Sequence, residues 1–374
     1  MQYIRTYALV WLCFAIHTVS AQKYDYTWLG GDPALSPNFS LNFSQFPPEA
    51  KITNNSMGFD GTNLSMSDSS GNLLFFSNGC SIRNAKNQLI QGGEIINIGY
   101  LQEQHCHPEG NYVYMSRSMF SLPDSNSLYY VFHIRLEDDL ATKTLLFSIL
   151  DMKQNNGAGK LIVRDSALIT GYLQVASANR HANGRDWWIL LANNEKGIFY
   201  RFLLTPTGLQ GPWQQEISNP TAKNAFYYGW SQFSPDGRYY SIHHSVHGVS
   251  VYRFDRCTGT LSGLRYLPRH PSEPKPSWNF GMTISPDSRY LYRVIGQSVR
   301  IVQYDLEALN LADSEIIVGD TAAPVYQIEY LNTGPDGRIY MFNWGHSFIN
   351  TINYPDRKGK LCDFKIKSYI FLSY

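Results

Sequence analysis

The sequence predicts an all-β ring of repeated units, and three observations lead there. FSPDGRYYSI at Phe233 returns as ISPDSRYLYR at Ile284 and as TGPDGRIYMF at Thr333, which sets the Pro-Asp pairs at Pro235, Pro286 and Pro335 51 and 49 residues apart. A period of this length marks stacked structural repeats. The 26 Tyr and 20 Phe residues gather in short runs between turn residues, which is strand composition. Helical periodicity is scarce, and only LEALNLADSE (Leu306 to Glu315) could hold a turn or two.

In chain order, Arg5, the apolar run Tyr7 to Ile16 and the small residues Val19-Ser20-Ala21 form the pattern of a cleaved signal peptide over residues 1–21. Ten apolar residues are too few for a membrane-spanning helix. Cys13 follows Leu12, where a lipoprotein site would want a small residue, so it reads as part of the apolar run. The mature chain is expected to begin at Gln22, to carry no membrane span, and to be exported to the periplasm, cell surface or medium. Loss of Arg5 leaves thirty charges of each sign, a balance with no electrostatic footprint for nucleic acid or anionic membrane.

Residues 22–374 read as one domain. They exceed a typical single core, yet no linker divides them, and a repeat array reconciles the two facts because each unit needs only its neighbours. Fainter copies of the turn-strand phrase stand upstream at DSSGNLLFFSN, DSNSLYYVFHI and NGRDWWILLAN. With Gly71, Ser127, Gly184, Gly237, Ser288 and Gly337 as markers, the intervals are 56, 57, 53, 51 and 49 residues. In each copy Pro or a small polar residue opens the turn, Asp or Asn bonds its own backbone, and Gly or Ser takes the tight angle.

One unit can be followed strand by strand: GWSQFS, the Pro-Asp-Gly turn, RYYSIHHS, VHG, VSVYRFD, RCTG and TLSGLRYL. Four short antiparallel strands in about forty residues make a β-propeller blade. RYLYRVI at Arg289 places bulk on both faces, as a strand buried on both sides must. Six marked units plus Tyr24 to Lys51 give a seven-bladed propeller of WD40-like repeats, with six blades the alternative count, the two chain ends sharing one blade, and the completeness of the last blade left open.

GNLLFFSNG, NSLYYVFHI, HANGRDWWILL, FDRCTGTLS, ISPDSRYLY, GPDGRIYMFN and INYPDRKGKLCDF follow one another over Asn63 to Phe364. In this the chain resembles a family of secreted β-propeller proteins of Bacteroidota, members of which often carry a C-terminal sorting tail for type IX secretion. The resemblance implies a secreted propeller and assigns no activity. The chain departs from the pattern by stopping ten residues after LCDF, with no sorting tail in view.

Four cysteines remain after the leader: Cys80, Cys106, Cys257 and Cys362. An even number in an exported protein suggests disulfides, and four allow three pairings. The favoured set is Cys80 with Cys106, which lie in adjacent early units, and Cys257 with Cys362, which both follow a third strand; four free thiols are the alternative. HCH (His105, His107) and HHSVH (His243, His244, His247) are histidine-rich but lack a carboxylate or CxxC partner, so neither metal nor cofactor is expected.

RHANGRDWW holds the densest polar and aromatic mix. His181, Arg185 and Asp186 could line the channel or a cleft, with Trp187 or Trp188 as a stacking platform for a sugar or peptide, although the same stretch also reads as a hairpin turn followed by blade-packing tryptophans. No nucleophile elbow, Asp-box or calcium loop occurs. The expected function is therefore a secreted or cell-surface, non-catalytic recognition scaffold for an extracellular glycan, peptide or protein. The alternative is a propeller hydrolase or lactonase-like enzyme with its site at the channel mouth.

Overall fold

The computed structural model describes residues 23–32, 36–59, 63–106, 119–124, 127–139, 142–216, 229–244, 247–273, 281–296, 300–320, 328–343 and 347–371. The expected signal peptide, the start at Gln22 and His107 lie outside them. No described helix is long and apolar enough to cross a membrane.

Seven antiparallel sheets, each built from consecutive strands, form a seven-bladed β-propeller. Blade 1 comprises Thr27–Asp32, Ser36–Asn42 and Glu49–Ile52. Blade 2 comprises Leu64–Ser67, Leu73–Ser77 and Ile82–Asn84. Blade 3 runs from Met119 to Gly171, blade 4 from Ser177 to Glu216, blade 5 from Gly229 to Pro268, blade 6 from Met282 to Asp320 and blade 7 from Ile328 to Ile370, each with four strands. The first strands of neighbouring blades approach one another, so they surround the central channel. Helix is confined to short pieces, Tyr100–His105 and single 3₁₀ turns such as Ala312–Ser314 inside the expected Leu306 to Glu315 stretch.

All six marker residues lie between the first and second strands of blades 2 to 7, and therefore on one rim. Gly71, Gly184, Gly237, Ser288 and Gly337 have φ of 95°, 72°, 74°, 64° and 77°, the left-handed region that turn chemistry asked of them. Blades 5 and 6 write the same hydrogen bonds twice. Ser234 Oγ donates to Asp236 Oδ1 while the Arg238 and Tyr239 amides donate to Asp236 and Ser234, and Ser285, Asp287, Arg289 and Tyr290 repeat the set.

Seven apolar clusters fill the seven gaps between blades. Burying one Leu, Ile, Val or Phe side chain stabilises by about 1.5–3 kcal/mol, which is how a ring with few long-range backbone bonds holds together. Tyr290 to Ile295 is buried along its whole length, as the two-faced reading of RYLYRVI requires.

Two expectations are corrected. The chain ends do not share a blade: every sheet is contiguous in sequence, and the ring closes by side-chain packing of Phe39, Leu41 and Phe43 of blade 1 on Tyr340, Ile349 and Phe371. Thr27 Oγ1 donates to Gly71 O and Phe43 lies beside Gly334, so blade 1 begins on the hairpin rim with a strand running away from it, opposite to the first strands elsewhere. Its three strands match the second, third and fourth of the other blades in direction.

The second correction concerns cysteines. Cys80 and Cys106 form a disulfide, but Cys257 and Cys362 are free, the first exposed and the second buried. Cys257 sits in a turn facing blade 4, where its carbonyl meets His181. Cys362 packs among blade 6 and blade 7 residues. They face different gaps of the ring, and blade 6 stands between them.

Candidate functional site

The structure gathers His181, Arg185, Asp186, Trp187 and Trp188 in one hairpin of blade 4, on the rim and against blade 5. His181 Nδ1 accepts the Asn183 amide at 3.0 Å, which leaves Nε2–H to donate to Cys257 O at 3.1 Å. Arg185 Nε donates to Asp186 Oδ1 at 2.7 Å, and Asn183 Nδ2 to Asp186 Oδ2 at 2.8 Å. These bonds, the Arg185 one foremost, hold the Asp186 carboxyl below its usual range against the effect of burial. Trp188 is buried with its indole N–H on Arg256 O, and the Arg180 guanidinium covers Trp187 at 4.0 Å. Gly259 is required here, because a Cβ would meet the Trp188 ring at 2.8 Å. His181 and Trp188 thus tie blade 4 to blade 5, the Asp186 carboxylate is held within its own hairpin, and the buried Trp187 indole N–H meets no acceptor among the described residues.

The histidine groups are also built in. His243 and His244 are buried, and burial pushes His244 down to about 3, with His247 beside it adding to the shift. Among the described residues no three His, Cys, Asp or Glu side chains converge as a metal site would need. His133, unnoticed in the sequence, lies between Asn97 Oδ1 at 3.0 Å and Ser148 Oγ at 3.4 Å. Burial drives it down to about 4 although Asp165 pulls the other way. Its serine contact is fully buried.

A different arrangement occupies the hairpin end of the channel. A cavity of about 380 Å³ is lined by Asp25 and Trp28 of blade 1, Gln232, Phe233 and Pro235 of blade 5, Thr283 and Ile284 of blade 6, and Asn332 and Thr333 of blade 7. Thr333 Oγ1 donates to Ile284 O at 2.9 Å and meets Thr283 Oγ1 at 3.0 Å, which staples the inner strands of blades 6 and 7. Among the described residues, the side chains of Asp25, Gln232 and Asn332 make no ion pair or hydrogen bond to another residue, the Asp25 carboxylate accepting from its own backbone amide. Asp25 is exposed; the protein beside it raises its carboxyl above the usual value, with a bond to its own backbone pulling the other way. Trp28 forms an aromatic wall, supported edge-on by Phe43 and Tyr340.

The sequence carried a signal for part of this site. Asn179, Gln232, Thr283 and Asn332 each stand five residues before the turn markers of blades 4 to 7. One repeat position therefore puts a polar side chain at one height of the inner wall, four times. Asn179 is committed to Gly237 O at 3.1 Å; Gln232 and Asn332 are left open. Asp25 lies outside the repeats and had no such marker. Elsewhere, a cavity of about 330 Å³ opens between the outer strands of blades 3 and 4, with Phe147, Val163, Leu168 and Leu209 in its mostly apolar lining.

No family model matches the chain, and no curated protein does. Solved structures similar to it include a candidate 6-phosphogluconolactonase from Bacteroides uniformis, 14% identical with a TM-score of 0.45 over 79% of this chain and 80% of that one. Virginiamycin B lyase from Staphylococcus aureus is 13% identical with a TM-score of 0.42 over 80% and 83%. A functionally unknown protein from Desulfotomaculum acetoxidans is 10% identical with a TM-score of 0.44 over 87% and 92%.

Proposed function

We propose that the protein is an exported recognition propeller that binds its ligand in the hairpin-end pocket of the channel and does not transform it. The observation that carries this reading is the set of uncommitted side chains, Asp25, Gln232 and Asn332, brought from three blades to one cavity on a rim where neighbouring polar groups are paired. An amide offers both donors and acceptors, and buried or half-buried polar groups ordinarily find partners. Leaving three of them open beside a tryptophan wall suits a site whose partner arrives from outside. The cavity falls in the size range of small-ligand sites. The signal-peptide pattern of residues 1–21 supports export, and an exported scaffold would draw its ligand from extracellular glycans or peptides.

The hydrolase or lactonase alternative asks for an acid and a base within reach of one reacting bond. Among the described lining residues Asp25 is the one titratable carboxyl or imidazole group, an arrangement closer to recognition than to acid-base chemistry.

The test is a glycan and peptide array probed with the purified mature chain, followed by the double variant Gln232→Ala, Asn332→Ala. Retention of a defined ligand by the wild type and its loss in the double variant, with an unchanged melting temperature, is the expected result. Binding that survives the double variant, or turnover of a lactone, ester or glycoside that Asp25→Asn abolishes, would overturn the reading.

A further inference from the structure

We propose that the channel pocket recognises a primary ammonium group, carried by a lysine side chain or an amino sugar, with Asp25 as its counter-ion. This rests on the reading of the pocket as the binding site and names the chemistry it selects. Asp25 brings a negative charge into the cavity, and no cation is among the described lining residues to neutralise it. Its carboxylate has no ion pair and no side-chain hydrogen bond among the described residues. Arg180, on the innermost strand of blade 4, is occupied by the carbonyls of Gly184 and Arg185 and by the Trp187 ring.

A carboxylate with no counter-ion beside it repels anions and attracts a cation. The other open groups narrow the choice. An ammonium has three donors and no acceptor, and Asp25, Gln232 and Asn332 supply three oxygen acceptors from three blades to one cavity. A planar guanidinium prefers a bidentate fork on one carboxylate, whereas an ammonium turns its donors freely toward separate acceptors. Trp28 adds an aromatic ring, a further favourable neighbour for a cation. A carboxylate or phosphate ligand could accept from the two amides but would face the Asp25 charge.

The experiment uses isothermal titration calorimetry on the mature chain at low ionic strength with four probes: glucosamine, N-acetylglucosamine, Nα-acetyl-lysine amide and its Nε-acetylated form. In at least one pair the amine should bind about tenfold or more tightly than its acetylated partner, and the pair that responds distinguishes sugar from peptide. Asp25→Asn should erase that preference while circular dichroism and melting temperature confirm an intact ring. Equal binding of amine and amide, a preference that persists in Asp25→Asn, or no binding of either amine at millimolar concentration would each overturn the proposal. Binding of N-acetylglucosamine that depends on Gln232 and Asn332 but not on Asp25 would remove the ammonium assignment and leave the channel reading standing. A ligand that ignores all three side chains would remove both.

Discussion

Asp186 and Asp25 lie on the same rim and have opposite surroundings. Asp186 is boxed in by Arg185 and Asn183 within its own hairpin, and its carboxyl is held low. Asp25 is exposed and, among the described residues, bonds to nothing beyond its own backbone, and its carboxyl is raised. One aspartate is used to make the fold, while the other costs the fold something and is present all the same. The difference teaches that a dense polar sequence is a poor guide to a site, because short-range density mostly means that the groups satisfy one another. A polar residue that the fold brings into a cavity and leaves unpaired is the better guide.

The widest separation between the two regions should come from Trp188→Ala. Trp188 fills the gap between blades 4 and 5 with Leu190, Phe199 and Tyr252, and its removal forfeits the indole bond to Arg256 O as well. Large-to-small changes of buried aromatics cost about 3–5 kcal/mol. Urea unfolding should show a loss of that order, and channel binding measured well below the new midpoint should be unchanged. A tryptophan replaced with little loss of stability but with loss of ligand would reverse the roles assigned to the hairpin and the channel.

Smaller, and dependent on pH, is the effect of Asp186→Asn. A carboxyl whose folded-state value lies below its unfolded value contributes stability that is present above the unfolded value, near pH 4, and is lost as pH falls through the folded one. Wild type should therefore exceed the variant in melting temperature at neutral pH, and the gap should close on acidification. A gap that stays constant down to the most acidic point would mean that the Arg185 and Asn183 bonds act through geometry and not through charge.

These contrasts also explain what could be read beforehand. The hairpins were legible because their code is local: Ser234, Asp236, Arg238 and Tyr239 complete one another within six residues, blade 6 repeats the whole set, and blade 7 keeps its Asp336–Arg338 part. Blade number followed from counting them. The Cys80–Cys106 bridge joins positions 26 residues apart within one stretch of chain. The Cys257–Cys362 expectation failed because it compared places within a blade and ignored which gap each blade face turns to. The channel site was hidden for a related reason. Gln232 and Asn332 are two repeats apart, and Asp25 belongs to the one blade whose first strand runs against the pattern. Arg293 shows the limit most plainly: in RYLYRVI it reads like any strand residue, yet its side chain is wholly buried on Glu273 at 2.7 Å, a partner in the connection from blade 5. Nothing within either short stretch announces the other.

The smallest expected effect is the most discriminating. Gln232→Ala and Asn332→Ala, which remove uncommitted groups, should each leave stability within about 0.5 kcal/mol, as surface substitutions usually do. Asp25→Asn should go further and raise the melting temperature slightly at neutral pH. A carboxyl whose folded-state value lies above its unfolded value favours the folded state most below the unfolded value, and that advantage is lost as pH rises through the folded one. The gain of the variant should therefore be present at neutral pH and vanish on acidification, the reverse of the sign for Asp186→Asn. A ligand carrying an ammonium group should restore the wild type and leave Asp25→Asn unmoved, because the carboxylate would at last have its partner. An Asp25→Asn variant less stable than wild type at neutral pH would show that Asp25 has a structural partner after all, and the two aspartates would then be one kind of residue.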